Sequence, residues 1–225
     1  MIVRTCLVPP GNFGDSAINS YLAKRITGKS PKLMSISQKV SKENYLLSGS
    51  ILGSANNHSI IWGAGFLDKT DLLRANPKGI HAVRGKLTRQ KLITQGIECP
   101  EVYGDPALLM PRFYLPLKLN KTDKIGLIPH YSEMKMTSEF PAWKYRIINI
   151  CSGVEKVIKE ICECEKILSS SLHGLIIAHA YGVPYERVKL SNLLKGGDFK
   201  FLDFFSSIPD LDLDKLWEAC PFRTE

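Results

Sequence analysis

Between Lys166 and Pro184 the chain reads Lys-Ile-Leu-Ser-Ser-Ser-Leu-His-Gly-Leu-Ile-Ile-Ala-His-Ala-Tyr-Gly-Val-Pro, with its chemically active side chains gathered near the middle. Lys166, Ile167 and Leu168 look like the end of a short buried strand. Three serines, Leu172, His173 and Gly174 follow, and an apolar run to Tyr181 is closed by Gly182 and Pro184. Ser170 or Ser171 suits a helix N-cap, Gly182 stands where a left-handed residue ends a helix, and Pro184 blocks its continuation. The stretch predicts strand, tight turn, helix. The first amides of such a helix lack intrahelical acceptors and carry partial positive charge, which suits a phosphate or a carboxylate. The same pattern also describes a capped core helix in which His173 only packs.

Other candidates sit where strands turn into helices. An apolar strand over 2–8 leads into Gly11-Asn12-Phe13-Gly14-Asp15 and a helical pattern from Ser16 to Ile26 that stops near Gly28. Glycines beside Asn12 let backbone approach a ligand closely, while Asp15 is also an ordinary helix cap. Residues 45–52 and 59–62 read as buried strands, the second followed by Trp62-Gly63-Ala64-Gly65-Phe66. Gly63 and Gly65 fit a loop lying along a ligand, and equally a close strand–helix contact. A strand over 80–83 runs into Arg84-Gly85 and a helix from Lys86 to Gln95. An Arg at the carboxyl end of a strand lies where open α/β sheets bind ligands, although a surface Arg reads the same way. His130 follows the strand 124–128 in the same manner, with a plain turn imidazole as its alternative.

The positioning elements repeat. Strands and helices alternate through 1–115, a Pro- and Lys-containing linker follows, and the alternation restarts over 122–225, with strands at 147–150 and 186–190 and a helix from Val154 to about Cys162. The pattern predicts two α/β domains with mostly parallel sheets, whose strand ends carry Asn12, Gly63, Arg84, His130 and His173 to one cleft. The tail from Asp212 to Ala219 is amphipathic and predicts a packing helix for the second domain.

Composition narrows the partners. The chain of 225 residues is 44% hydrophobic and 23% charged, as a globular core requires. Thirty Lys and Arg against 22 Asp and Glu give a net charge of +8, which favours anionic small molecules or an acidic surface. The basic residues are dispersed without aromatic interleaving, which argues against nucleic acid. No apolar run reaches the roughly 18–20 residues of a membrane span, and the N-terminus turns to Pro-Pro-Gly too early for a signal peptide. The six cysteines form no C-x-x-C pair, and the C-x-C at 162–164 has no partner at metal-ligand spacing. Reduced thiols in a cytoplasmic protein, with no resident metal or cofactor, are the expectation.

Taken in order, Asn12-Phe13-Gly14-Asp15, Trp62-Gly63-Ala64-Gly65, Arg84-Gly85 with Leu87-Thr88, Tyr103-Gly104-Asp105-Pro106-Ala107, Pro129-His130, and Ser169 through Ala178 with Gly182-Val183-Pro184 resemble the polysaccharide pyruvyl transferases. The stretch Gly197-Asp198-Phe199-Lys200-Phe201-Leu202-Asp203-Phe204-Phe205 is most similar to the exopolysaccharide, xanthan-type subgroup. The resemblance implies a GT-B-like fold of two small Rossmann-like domains facing a central cleft. It implies transfer of pyruvate from phosphoenolpyruvate onto two hydroxyls of one sugar, giving a cyclic ketal and phosphate, with a lipid-linked oligosaccharide as the usual acceptor.

Carried over residue by residue, the resemblance implies that Arg84 grips the donor from the first half while Ser170, Ser171, Leu172, His173 and Gly174 serve from the second. Asn12, Gly14, Gly63 and Gly65 would line the substrates, and His173, His130 and Asp15 are the acid–base candidates. Ser171 departs from the family's Arg at that position and leaves the anion site one charge short. A GT-B glycosyltransferase using a nucleotide sugar is the alternative, although the chain is short for one and shows no clear ribose-binding acid in its second half. A binding protein that kept the cleft without the chemistry is a third reading. A cytoplasmic protein held peripherally at the inner, anionic face of the plasma membrane is the expected location.

Overall fold

The computed structural model describes residues 1–7, 16–192, 194 and 196–223. Asn12, Gly14 and Asp15 therefore lie outside the described residues. The described chain divides into two compact units. One comprises the chain up to Pro106 and again beyond Leu194, and the other spans Ala107–Leu194.

In the first unit, short apolar runs give β1 (Ile2–Thr5), α1 (Ile18–Thr27), β2 (Lys32–Ser35), β3 (Asn44–Leu46), β4 (Ser59–Trp62), β5 (Gly79–Ala82) and α2 (Lys86–Thr94). The five strands lie in the order β2-β1-β3-β4-β5, and all four neighbouring pairs are parallel. Helix α1 stops as its sequence predicts, because Gly28 takes the left-handed conformation (φ 71°) and returns its N–H to the Lys24 carbonyl. The strand expected over 45–52 is shorter. At Ser48 the backbone N–H leaves the ladder for Asn19 Oδ1 (3.0 Å), and Gly49 adopts φ 109°, which a strand does not accept. The edge strand β2, only partly buried, was not expected from the sequence.

The second unit contains β6 (Ile125–Ile128), β7 (Tyr145–Ile147), α3 (Val154–Glu163), β8 (Lys166–Ser169), α4 (Leu172–Ala180) and β9 (Tyr185–Arg187). Its sheet has the order β7-β6-β8-β9, again wholly parallel. Strand β7 begins before the segment 147–150 expected for it, and β9 precedes 186–190 by a residue. Helix α3 buries Val154, Val157, Ile158, Ile161 and Cys162 on one stripe, at the spacing an amphipathic helix uses. Helix α4 is buried from Leu172 through Ala178, which accounts for its apolar residues on every side.

The C-terminal segment departs from the expected domain boundary. Helices α5 (Phe199–Ser207) and α6 (Leu213–Glu218) pack on the first unit, not the second. Trp62, fully buried, donates its indole N–H to the Leu216 carbonyl (2.9 Å), and the Phe222 ring stands edge-on to Trp62 and Tyr45. Two aromatic anchors on β3 and β4 thus hold the tail, and apolar periodicity within the tail carries no information about which unit supplies them.

All six cysteines are free thiols. Burial pushes the Cys99 thiol up to about 12 and those of Cys162, Cys164 and Cys220 up to about 11. A thiol reagent at pH 8 should therefore modify only the half-buried Cys6 and Cys151 in the native protein. The other four should react on the order of a hundredfold more slowly until denaturant exposes them. Rapid native labelling of Cys99 or Cys162, read by mass spectrometry, would contradict this packing.

Candidate functional site

In an open parallel sheet, ligands collect beyond the carboxyl ends of the strands, at the point where neighbouring connections run to opposite sides. In the order β7-β6-β8-β9, that point lies between β6 and β8. Their registered residues Ile128 and Ser169 end the two strands side by side. Pro129-His130 follows the first and Ser170-Ser171 the second.

Ser169 shapes the turn. Its Oγ accepts the Ser171 N–H (3.0 Å) and lies 2.9 Å from the Ile128 carbonyl and 2.8 Å from that of Ser171. The Ser170 N–H also returns to the Ile128 carbonyl (3.1 Å). Ser171 occupies the N-cap position of α4 and makes no side-chain cap bond, while its own N–H is held by Ser169 Oγ. Gly174 follows from the same contact, since a Cβ there would run into Ser169 Oγ. Leu172, His173 and Gly174 form the first turn of α4, with His173 only 7% exposed. Ser170 is fully buried. It donates to Glu133 Oε2 (2.5 Å) and accepts the His130 N–H (2.9 Å). The His130 Nδ1 is 2.7 Å from Ser132 Oγ, so the ring is oriented by its own loop. His130 and the Ser170–Gly174 turn are therefore brought together, as sequence spacing alone could not establish.

The first unit places its predicted residues differently. Arg84 is fully buried. Its Nε donates to Asp203 Oδ2 (2.9 Å), its Nη2 reaches the same oxygen and the Phe66 carbonyl (2.6 Å), and its Nη1 donates to Ser50 Oγ (2.7 Å). Asp203 in turn accepts the Thr88 N–H (2.7 Å) and hydroxyl (2.6 Å). The guanidinium thus ties β5 and α2 to α5 and faces the interior. Gly65 and Gly85 serve the same contact: a Cβ on Gly65 would stand 2.5 Å from the guanidinium carbon, and one on Gly85 would collide with the Asp203 backbone. Gly63 (φ 97°) abuts Pro106. Close packing is thus a complete account of Gly63 and Gly65. A cavity of about 430 Å³ elsewhere in this unit is lined by Lys86, Glu101, Tyr103, Asp210, Asp212 and Lys215, none of which the sequence reading placed among the catalytic or substrate-binding candidates. Among the described residues no three or more His, Cys, Asp or Glu side chains converge as metal ligands. No helix among them is long and apolar enough to cross a membrane.

The family model of the polysaccharide pyruvyl transferases matches residues 12–184, more than half of the chain and all of the turn just described. The chain belongs to that family. As a pyruvyl transferase it is an enzyme by class, and two relatives bear on it. It is 30% identical over 205 residues to an uncharacterized protein of Acanthamoeba polyphaga mimivirus, covering 87% of this chain and 70% of that protein. It is also 30% identical over 168 residues to the succinoglycan biosynthesis protein ExoV of Rhizobium meliloti (strain 1021), covering 67% of this chain. The chain spans about half the length of that second relative, 48%. No solved structure matches it significantly.

Sequence reasoning missed two acids in this pyruvyl transferase, Glu133 and Asp203. Glu133 sits three residues after His130 in what reads as a polar loop, and Asp203 stands in an aromatic run. A lone acid among apolar residues of a helix was the available signal for Asp203, because a buried carboxylate needs a partner. Arg84→Ala leaves that carboxylate buried without its cation, so urea unfolding should show a loss of about 3–5 kcal/mol. Arg84→Lys should recover only part of this, since a point ammonium cannot replace the fork. Unchanged stability in Arg84→Ala would contradict the internal role.

Proposed function

We propose that this pyruvyl transferase moves pyruvate from phosphoenolpyruvate onto two hydroxyls of one sugar in a bacterial exopolysaccharide or its lipid-linked repeat unit. The observation that carries the reading is the Ser170–Gly174 turn, a helix start beside His130 at the switch point of the second sheet, inside the span the family model matches. The part of the rhizobial relative in succinoglycan biosynthesis supports a polysaccharide acceptor. A GT-B-like architecture belongs to the same reading.

In this scheme the amides of Leu172, His173 and Gly174 face one anionic end of phosphoenolpyruvate, carboxylate or phosphate, with the helix dipole behind them. Two carbon–oxygen bonds form at the enol carbon and the bond to the phosphate oxygen breaks. One hydroxyl proton ends on the methylene carbon, which becomes the methyl group, and the other leaves with phosphate. His173 and His130 carry those transfers, one as acid and one as base. Asp15 keeps its proposed part in proton transfer, and Asn12 and Gly14 theirs in lining the substrates. No bound cofactor enters the scheme. The lipid-linked acceptor and the charge of +8 support peripheral contact with an anionic leaflet.

The test is phosphate release from phosphoenolpyruvate in the presence of a panel of sugar acceptors. Turnover should appear with at least one acceptor, and His173→Ala should lower kcat by about 10²–10⁴-fold. Absence of phosphate release with every acceptor, or full turnover by His173→Ala, would sink the reading. Binding of uridine diphosphate in place of phosphoenolpyruvate would move the chain to nucleotide-sugar chemistry.

A further inference from the structure

Glu133 is a fully buried carboxylate that the proposed chemistry does not use. Its Oε2 accepts from Ser170 Oγ and its Oε1 from Ser191 Oγ, each at 2.5 Å. Its own N–H donates to the His130 carbonyl (2.8 Å), and the His130 N–H donates to Ser170 Oγ (2.9 Å). The three segments leaving β6, β8 and β9 therefore meet at one side chain, and His130 is held through both of its backbone polar groups.

The chemistry of the hub dictates direction. An ionised carboxylate only accepts, so both serine hydroxyls must turn their protons toward it. With its proton committed, Ser170 presents a lone pair to the His130 N–H. That places His130 against the turn that opens α4. In a buried setting every such group needs its partner, and a half-satisfied network loosens as a whole.

We propose that Glu133 is the positioning residue of the donor site. It fixes the Ser170–Leu172 backbone and His130 in one arrangement and is itself out of reach of substrate. The proposal rests on the reading of this turn as the phosphoenolpyruvate site. Electrostatics alone predicts the opposite sign from positioning, because a negative charge near the helix start weakens anion binding. Glu133→Gln separates the two effects. It removes the charge, keeps the volume, and offers an NH₂ group that cannot accept from whichever serine faces it.

In Glu133→Gln the KM for phosphoenolpyruvate should rise about tenfold while melting shifts by only a few degrees. Ser191→Ala, which keeps the charge and the Ser170 bond, should raise KM about threefold in the same direction. A KM that stays level or falls in Glu133→Gln overturns the proposal, as does an unchanged KM in Ser191→Ala. A smaller folded fraction alone would lower the apparent kcat and leave KM untouched. Hydrogen exchange at the His130 amide gives a readout without substrate. It should quicken about tenfold in Glu133→Gln and in Ser170→Ala, and unchanged protection overturns the hub. Wild-type protein that neither binds nor turns over phosphoenolpyruvate sinks the functional reading instead, and the His130 exchange then decides whether Glu133 holds this turn.

Discussion

Parallel pairing forces each strand of the four-stranded sheet to be followed by a crossover, and it delivers every strand's carboxyl end to one edge. Because β7 lies on one side of β6 and β9 beyond β8 on the other, the connections leaving β6 and β8 diverge. The gap between them must be filled by something other than backbone ladder. Ser169 fills its floor by satisfying the Ser171 amide and packing under Gly174. Ser170 fills its wall with the Glu133 and His130 bonds. The start of α4 lies beside this gap, and the anion chemistry proposed for the enzyme rests on that placement.

The first unit solves a different problem with a buried ion pair. Removing Arg84 and Asp203 from water costs several kcal/mol per ion, and the pair repays it only if every lone pair and donor finds a partner. Here Asp203 has the guanidinium, the Thr88 amide and the Thr88 hydroxyl, and Arg84 adds Phe66 and Ser50. Such a completed network gives little net stability over an apolar substitute but allows few alternative dockings for α5. It is therefore a device for placing the returning C-terminal helix against α2, with Gly85 providing the room.

The helix opening after the serines was legible because its signals are local: an N-cap type, an apolar run, Gly182 and Pro184. The α/β alternation was legible for the same reason. Where the sequence misled, the deciding partner lay far along the chain. Residues 45–52 read as one strand because Asn19, which draws off Ser48, is 29 positions away. Arg84 read either as a ligand-binding strand-end Arg or as a surface one, and neither reading could include Asp203, 119 positions away. Glu133 gave no signal, since only folding brings Ser170 and Ser191 to it. The tail's place on the first unit depended on Trp62, which no periodicity within the tail reports.

The central claim is that phosphoenolpyruvate meets this enzyme at the start of α4, and amide chemical shifts during a titration test it most directly. The account predicts that added phosphoenolpyruvate displaces the Ser171, Leu172, His173 and Gly174 resonances first and furthest. If those four stay fixed while the shifts concentrate around Arg84 and Asp203, the donor is held elsewhere and the account is wrong.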